Sequence, residues 1–238
     1  MTDWTRLWRE RSAPPPPGAP TADPTARLME ADGLDSGFAG LTPERWLAGL
    51  RRITDEIGLP PDASVYEAGC GAGAFLHDLH ARGHPVAGSD LAPRLIELAR
   101  TVMPEGTFTV GEAADLDVTV RYDAVVSFGV FLYFPSRAYA EAVLDRMVRK
   151  ARGIVAILDV PDAAREREDL ARRQAQAGGA AAYAARYAGL EHRYYDRAWM
   201  RDALTARGLV DVRTATQDIE GYGNAPYRFN AWGRHRPA

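Results

Sequence analysis

Apolar residues follow two alternating patterns along this chain. One is a short unbroken apolar run, typical of a buried strand, and the other recurs at helical spacing. The helical pattern first becomes clear after Thr42, which can cap a helix that has Pro43 at its first position. Apolar runs and helical segments then alternate. We predict strands over residues 64–67, 85–89, 107–110, 122–128 and 153–159.

Helical segments separate these strands. The predicted helices span residues 73–82, 93–102, 136–151 and 198–207, and two strand-like segments follow at 209–216 and 226–232. Strands that alternate with helices predict an α/β fold, here a Rossmann-like, doubly wound, mostly parallel seven-stranded sheet with helices on both faces. Ligands of such sheets gather beyond the carboxyl ends of the strands. We therefore expect the functional residues at that edge.

The regions flanking this core differ in composition. Residues 1–37 include a proline run at 14–17 and are predicted to form an N-terminal, partly disordered segment, whereas residues 38–238 form one domain. Trp4 and Trp8 lie at helical spacing, which indicates either a short docked helix or a flap over a ligand. After the fifth strand, residues 162–195 form an insertion placed to act as a helical lid.

The insertion begins with mixed charges over residues 165–169. Their simplest interpretation is a solvated helix face, stabilised by pairs such as Glu168 with Arg172. Near the last strands, Tyr222, Asn224, Tyr227 and Arg228 form a polar aromatic group. Hairpin structure is one explanation of this group, and a substrate rim is the other.

Charge and cysteine content narrow the class of protein. The formal net charge is -3 with both signs interspersed, so no basic surface is predicted and nucleic acid is not expected as a partner. A single cysteine, Cys70, rules out an internal disulfide and fits a reducing compartment. No uninterrupted apolar segment approaches the roughly 20 residues that a bilayer requires. We expect a cytoplasmic protein that does not span a membrane.

A glycine motif follows the first predicted strand, Glu67-Ala68-Gly69-Cys70-Gly71-Ala72-Gly73. Glycines at this point let the backbone approach a ligand at the start of the next helix. With Ala74 at the position of the third glycine, the motif also fits the dinucleotide-binding fingerprint. The glycines alone therefore do not show which cofactor binds. A carboxylate two residues before Gly69 suits a cationic ligand, whereas a site for pyrophosphate would gain nothing from it.

This motif resembles the first motif of the class I S-adenosylmethionine (SAM) methyltransferases. The resemblance, which extends loosely over residues 38–233, implies that SAM is the cofactor and S-adenosylhomocysteine (SAH) the product. In that family the glycine turn packs against the methionine part of the cofactor, and the acidic residue, here Glu67, helps to position its ammonium group. The implied cofactor-binding residues in this first motif are Glu67, Gly69, Cys70, Gly71 and Gly73.

Three later segments resemble the same family in the same order. Asp90 and Leu91 end the second strand, where a carboxylate binds the ribose hydroxyls, although Asp90 would serve NAD equally well. Glu112 and Ala113 match the adenine-contact segment, in which the family usually has Asp at the position of Glu112. Ser127 matches a position beneath the cofactor.

Two other signatures are absent from the sequence. Residues 127–130, Ser-Phe-Gly-Val, lack the Asp/Asn-Pro-Pro-aromatic pattern of enzymes that methylate nitrogens of DNA and protein. Asp159 alone does not make the oxygen-rich site of a metal-dependent, catechol-type enzyme. We predict a metal-independent reaction on a hydroxyl or amine of a small molecule, such as a natural product, a sugar or another metabolite.

A hydroxyl acceptor benefits from a general base of near-neutral pKa, which points to histidine. His192 is the catalytic candidate, and a surface or capping role is its alternative. Tyr133 either orients the acceptor or packs. The sequence also leaves two other functions open. The chain could be an NAD-dependent oxidoreductase or a non-catalytic SAM-binding regulatory subunit. A homodimer is also left open.

Overall fold

The computed structural model describes residues 4–11, 23–34 and 39–236. The proline run at residues 14–17 lies outside this described part. The strands are β1 Val65–Ala68, β2 Val86–Asp90, β3 Thr107–Val110, β4 Tyr122–Phe128, β5 Ala151–Pro161, β6 Val210–Thr216 and β7 Arg228–Arg234. They form one sheet in the order β3-β2-β1-β4-β5-β7-β6. Strands β1 to β5 pair in parallel, and β7 is antiparallel to both β5 and β6, which confirms the predicted fold class.

Helices cover both faces of this sheet. They are α1 Trp4–Arg9, α2 Pro24–Asp32, α3 Pro43–Glu56, α4 Ala74–Ala81, α5 Pro93–Val102, α6 Arg137–Lys150, α7 Glu166–Gln176, α8 Ala180–Tyr187 and α9 Arg197–Ala206. The unbroken apolar run of β5 is buried because helices pack on both of its sides. Among the described helices, none has the length and apolar character needed to cross a membrane.

Helix α2 was not predicted from the sequence. Asp23 caps it by accepting a hydrogen bond from Thr25 N at 2.9 Å, and Gly33 ends it in the left-handed conformation. Leu28 and Met29 are buried in the same core as α3 and α4, so the N-terminal segment contributes to the domain core. The last residue of α2, Asp32, reaches the glycine motif as a result.

The insertion is helical, but its charges are not all solvated. Glu168 pairs with Arg165 at 2.9 Å, whereas Arg172 pairs with Asp169 at 2.7 Å. Asp169 is 0% exposed and Arg173 is also buried. The predicted solvated face with a Glu168–Arg172 pair is therefore wrong for this part of α7. The packing of α7 buries Asp169 and Arg173, and Asp169 pairs with both Arg172 and Arg173.

Candidate active site

A cavity of about 1140 Å³ opens beyond the carboxyl ends of β1, β2, β4 and β5. The strand order reverses between β1 and β4, and doubly wound sheets bind ligands at that crevice. Helix α1 contributes Trp4 and Trp8 to the wall of the cavity, and α7 contributes Arg173. The cavity therefore extends from the glycine motif to the helical insertion.

The glycine motif forms a tight bend after β1, which we call the glycine bend (residues 69–73). Gly69 and Gly71 have φ angles of 77° and 53°, in the left-handed region that favours glycine. Asp90 fixes the bend, because its Oδ2 accepts a hydrogen bond from Gly71 N at 2.9 Å. Its Oδ1 accepts another from Ala92 N at 2.8 Å. Asp90 is thus held rigidly at the edge of the cavity.

Asp32 contacts the opposite side of the glycine bend. Its Oδ1 accepts a hydrogen bond from Ala72 N at 2.7 Å, and its Oδ2 accepts one from Ala74 N at 3.1 Å. A Cβ atom on Gly71 would lie only 2.2 Å from Asp32 Oδ1, which shows how closely the two segments approach. The contact of Asp32 with the bend was not predicted from the sequence. The capping residues of α2 could have revealed the helix, but nothing local relates Asp32 to residues 72 and 74.

Three carboxyl groups, those of Asp32, Glu67 and Asp90, therefore surround one bend. Burial raises the pKa of Asp32 to about 7, against the effect of its two backbone hydrogen bonds. Burial and the charges of Asp32 and Asp90 raise the pKa of Glu67 well above its usual range. Burial also raises the pKa of Asp90. Such a cluster favours a positively charged ligand, which would compensate the mutual repulsion of the carboxylates.

Glu67 has an unsatisfied oxygen in this cluster. The side chain is 2% exposed, and Oε2 has no hydrogen-bond partner among the described residues. A buried carboxylate oxygen without a donor is costly unless a ligand supplies one. The ammonium group of SAM can supply such a donor and its sulfonium adds a positive charge, whereas the pyrophosphate of a dinucleotide would add repulsion. The residues present at the bend therefore fit SAM.

Most of the residues predicted to bind the cofactor line this cavity: Glu67, Gly69, Cys70, Gly71, Asp90, Leu91, Glu112 and Ala113. Gly73 and Ser127 are not among the lining residues. Gly73 precedes α4 and faces the Met103 side chain, and Ser127 donates its hydroxyl to Ala68 O at 2.8 Å inside the sheet. Both support the bend from behind.

Glu112, which lines the cavity after β3, already has two side-chain partners. Its Oε1 accepts a hydrogen bond from Arg9 at 3.1 Å, and its Oε2 accepts one from the Tyr139 hydroxyl at 2.9 Å. The first contact ties α1 to the segment after β3. Glu112 therefore helps to hold α1 over the cavity.

The two catalytic candidates come together at the other end of the cavity. His192 stacks on Trp4 with ring centroids 5.1 Å apart, and Tyr133 contacts the same indole at 4.7 Å. Burial, with the nearby charges of Arg173 and Arg228, lowers the pKa of His192 to about 3. The premise of a near-neutral pKa is therefore not met, since the imidazole is neutral at physiological pH.

A buried polar cluster lies beside these rings. We call it the arginine cluster: Asp159, Asp169, Arg172, Arg173 and Arg228. Tyr222 donates its hydroxyl to Asp159 Oδ2 at 2.7 Å, and Tyr194 donates to Asp169 Oδ2 at 2.8 Å. Tyr222, Asn224 and Arg228 line the cavity, whereas Tyr227 is not a lining residue.

The part of the chain that carries the glycine bend matches a known protein family. The family model described as "Methyltransferase domain" matches residues 65–152. Residues 65–152 of the chain are therefore similar to a methyltransferase domain. A magnesium-protoporphyrin O-methyltransferase of Rhodobacter capsulatus is 33% identical over 90 residues. That match covers 36% of this chain and 38% of the relative, so the chain spans well under half of the relative's length.

Solved methyltransferase structures share the fold over most of the chain. The magnesium protoporphyrin IX methyltransferase ChlM from Synechocystis PCC 6803 with bound SAM has a TM-score of 0.58 at 16% identity, covering 92% of this chain and 100% of that one. CalS10 from Micromonospora echinaspora, an amino pentose methyltransferase, has a TM-score of 0.61 at 18% identity, covering 88% and 97%.

The family match divides the cavity of this methyltransferase domain into two parts. It includes the glycine bend, Asp90 and Glu112, which lie at the cofactor end. It excludes α7, which carries Arg173, and it excludes β7, which begins at Arg228. It also excludes α8. Arg173 and Arg228 therefore lie outside the part of the chain that the family model matches.

Proposed function

We propose that this chain transfers the methyl group of SAM to a hydroxyl or amine of a small molecule, without a metal ion. The observation that carries the proposal is the cluster of three carboxyl groups around the glycine bend, at one end of a cavity of about 1140 Å³. Ligand pockets of about 300–1,000 Å³ are usual for one small molecule, so this volume suits a cofactor and an acceptor together.

SAM supplies a methyl group on a positively charged sulfur, and an in-line displacement by the acceptor leaves SAH and releases the acceptor's proton. In this proposal Glu67 and Asp32 balance the cationic end of the cofactor. Asp90 accepts hydrogen bonds from the ribose hydroxyls. Glu112 and Ala113 lie along the adenine, with Glu112 contributing through the position of α1.

The surrounding helices would align the acceptor and exclude water. Trp4 and Trp8 of α1 lie against Tyr133, and Trp4 donates its indole N–H to Glu191 O at 3.1 Å. We propose that α1 and the insertion at residues 162–195 act as flap and lid over the acceptor. Alignment in a closed, dry site is the main requirement of methyl transfer.

We assign His192 and Tyr133 positioning contacts to the acceptor. Nδ1 of His192 is buried without a hydrogen-bond partner in the described part of the chain. A neutral imidazole can accept a hydrogen bond from an acceptor hydroxyl or amine, although its pKa of about 3 makes it a weak base. Burial raises the pKa of Tyr133, so its hydroxyl stays protonated and can donate.

We also propose a cytoplasmic location and a small-molecule partner for this chain. The only cysteine, Cys70, is a buried free thiol, which suits a reducing cytoplasm. A cavity of about 1140 Å³ suits a cofactor with a small acceptor, and no basic surface that would suit a nucleic acid strand is predicted from the interspersed charges.

Cofactor binding and methyl transfer test the proposal in two steps. Titration calorimetry with SAH should show binding to the wild-type protein. Incubation with methyl-labelled SAM and a library of small alcohols, phenols and amines should then label at least one acceptor. Lack of binding by both SAM and SAH would refute the assignment, whereas binding without label transfer would favour a non-catalytic subunit.

Cofactor affinity should depend on pH through Asp32. A bound cation favours the ionised carboxylate, so it lowers the Asp32 pKa from about 7, and binding releases protons. Affinity for SAM should therefore fall as pH falls, by about eightfold between about pH 7.5 and about pH 6 for one group with this pKa. Calorimetry in buffers of different ionisation enthalpy measures both the affinity and the protons released.

The Asp32→Asn variant should bind SAM more weakly and with a flatter pH profile. Asp202→Asn is the matched control, because Asp202 is exposed on α9. An unchanged pH profile in Asp32→Asn would show that another group controls the dependence.

A further inference from the structure

Arg228 is buried at the acceptor end of the cavity with unused hydrogen-bonding capacity. It is the first residue of β7 and is 2% exposed. Its Nε and Nη1 have no hydrogen-bond partner in the part of the chain that the structure describes. A buried guanidinium is costly unless it is paired and hydrogen-bonded. The side chain lines the cavity, so a ligand can supply the missing partner.

Asp159 does not fill this role. Its Oδ2 lies 3.8 Å from Arg228 Nε, which is beyond hydrogen-bond distance, and the same oxygen already accepts from the Tyr222 hydroxyl. Asp159 has a φ of 57°, which holds the carboxylate at the end of β5 in a conformation that L residues rarely adopt. Asp159 therefore forms an ion pair with Arg228 and leaves Nε and Nη1 of Arg228 without a hydrogen bond.

Charge also favours an anionic ligand here. Asp169 binds Arg172 at 2.7 Å and Arg173 at 3.0 Å, so its carboxylate is shared by two guanidinium groups. Arg173 and Arg228 both line the cavity, so two guanidinium groups lie at this end of it.

The arginine cluster lies close to the cofactor end. A Cβ atom on Gly129, just after β4, would lie 3.4 Å from Asp159 Oδ2. A Cβ on Gly69 of the glycine bend would contact Val130, one residue further along. This short segment after β4 therefore lies against both the cluster and the bend. A small acceptor beside the cofactor therefore comes within reach of Arg228.

We propose that the methyl acceptor carries a carboxylate group that pairs with Arg228. This inference rests on the proposed methyl transfer and names the class of its substrate. The two oxygens of a carboxylate match the two donors of Arg228, Nε and Nη1, that have no hydrogen-bond partner in the described part of the chain. The carboxylate anchors the acceptor, while His192 and Tyr133 lie against its remaining part.

The test compares acids with their neutral amides on the SAH complex. Calorimetry first confirms SAH binding, which separates the inference from the proposed function. Matched pairs are then titrated into the complex: benzoate and benzamide, 3-phenylpropionate and its amide, and indole-3-acetate and its amide. At least one acid should bind about tenfold or more tightly than its amide, the usual effect of a charge-assisted hydrogen bond.

Substitutions show which residue causes the preference for the acid over its amide. Arg228→Gln should abolish the preference for the acid and retain SAH binding, and Arg228→Lys should keep part of the preference because the charge remains. Arg213→Gln is the matched control, since Arg213 is exposed on the adjacent strand β6. Equal binding of acids and amides by the wild-type complex overturns the inference, as does the absence of binding by every acid. An acid preference that survives in Arg228→Gln overturns the role of Arg228.

Discussion

Replacing Asp90 with asparagine should weaken SAH binding about 100-fold or more, because one carboxylate makes the contacts to both ribose hydroxyls in the proposed complex. The same side chain already accepts hydrogen bonds from Gly71 N and Ala92 N. Asparagine has one acceptor oxygen, so its NH₂ group would face one of these backbone donors. The glycine bend would shift as well as lose its charge. Calorimetry with SAH measures the loss of affinity.

Thermal unfolding of the free Asp90→Asn variant separates structural damage from lost ligand contacts. A destabilisation of about 1–3 kcal/mol is the usual cost of leaving a buried hydrogen-bonding group unsatisfied. Asp55→Asn serves as control, because Asp55 is exposed on α3. Wild-type affinity for SAH in Asp90→Asn would contradict the assignment of the cofactor end.

The Gly71→Ala substitution should also lower SAH affinity about 100-fold and destabilise the free protein. A left-handed residue with a Cβ costs about 1–2 kcal/mol, and Gly71 has a φ of 53°. The added Cβ would lie 2.2 Å from Asp32 Oδ1, so Asp32 would have to leave the amides of Ala72 and Ala74. The bend would lose its support from α2. Calorimetry and thermal unfolding report the two effects.

Gly83→Ala is the matched control for the backbone strain alone. Gly83 has a φ of 91°, and a Cβ there meets nothing within 4 Å in the described part of the chain. It should lower stability by about 1–2 kcal/mol and leave SAH affinity unchanged. Equal effects of the two substitutions on SAH affinity would show that the close approach of Asp32 is unimportant for the cofactor.

The cofactor end could be predicted because its signals are local in sequence. Gly69 and Gly71 have positive φ angles that favour glycine, and Glu67 lies at the end of the strand that leads into them. Asp90 ends the next strand in the same way. Parallel strands bring their carboxyl ends to one edge, so residues at these positions meet without further information.

Asp32 and the arginine cluster could not be predicted in this way. Asp32 ends a helix whose core residues are Leu28 and Met29, and its contact with the glycine bend depends on how α2 packs on the domain. Arg173 lies in a charged run that has the pattern of a solvated face, yet the packing of α7 buries it. The contact of Asp32 and the burial of Arg173 each depend on segments that are distant in sequence. The local sequence pattern of these segments does not indicate that they meet.

The sequence alone determined the seven-stranded sheet, the position of the glycine bend and the carboxylates at residues 67 and 90, because apolar periodicity, glycine conformation and strand ends are properties of short segments. Only the tertiary structure decided which further charges face the cavity. It brought Asp32 to the glycine bend and left Nε and Nη1 of Arg228 without a hydrogen-bond partner in the described part of the chain, since burial and pairing depend on how distant segments pack.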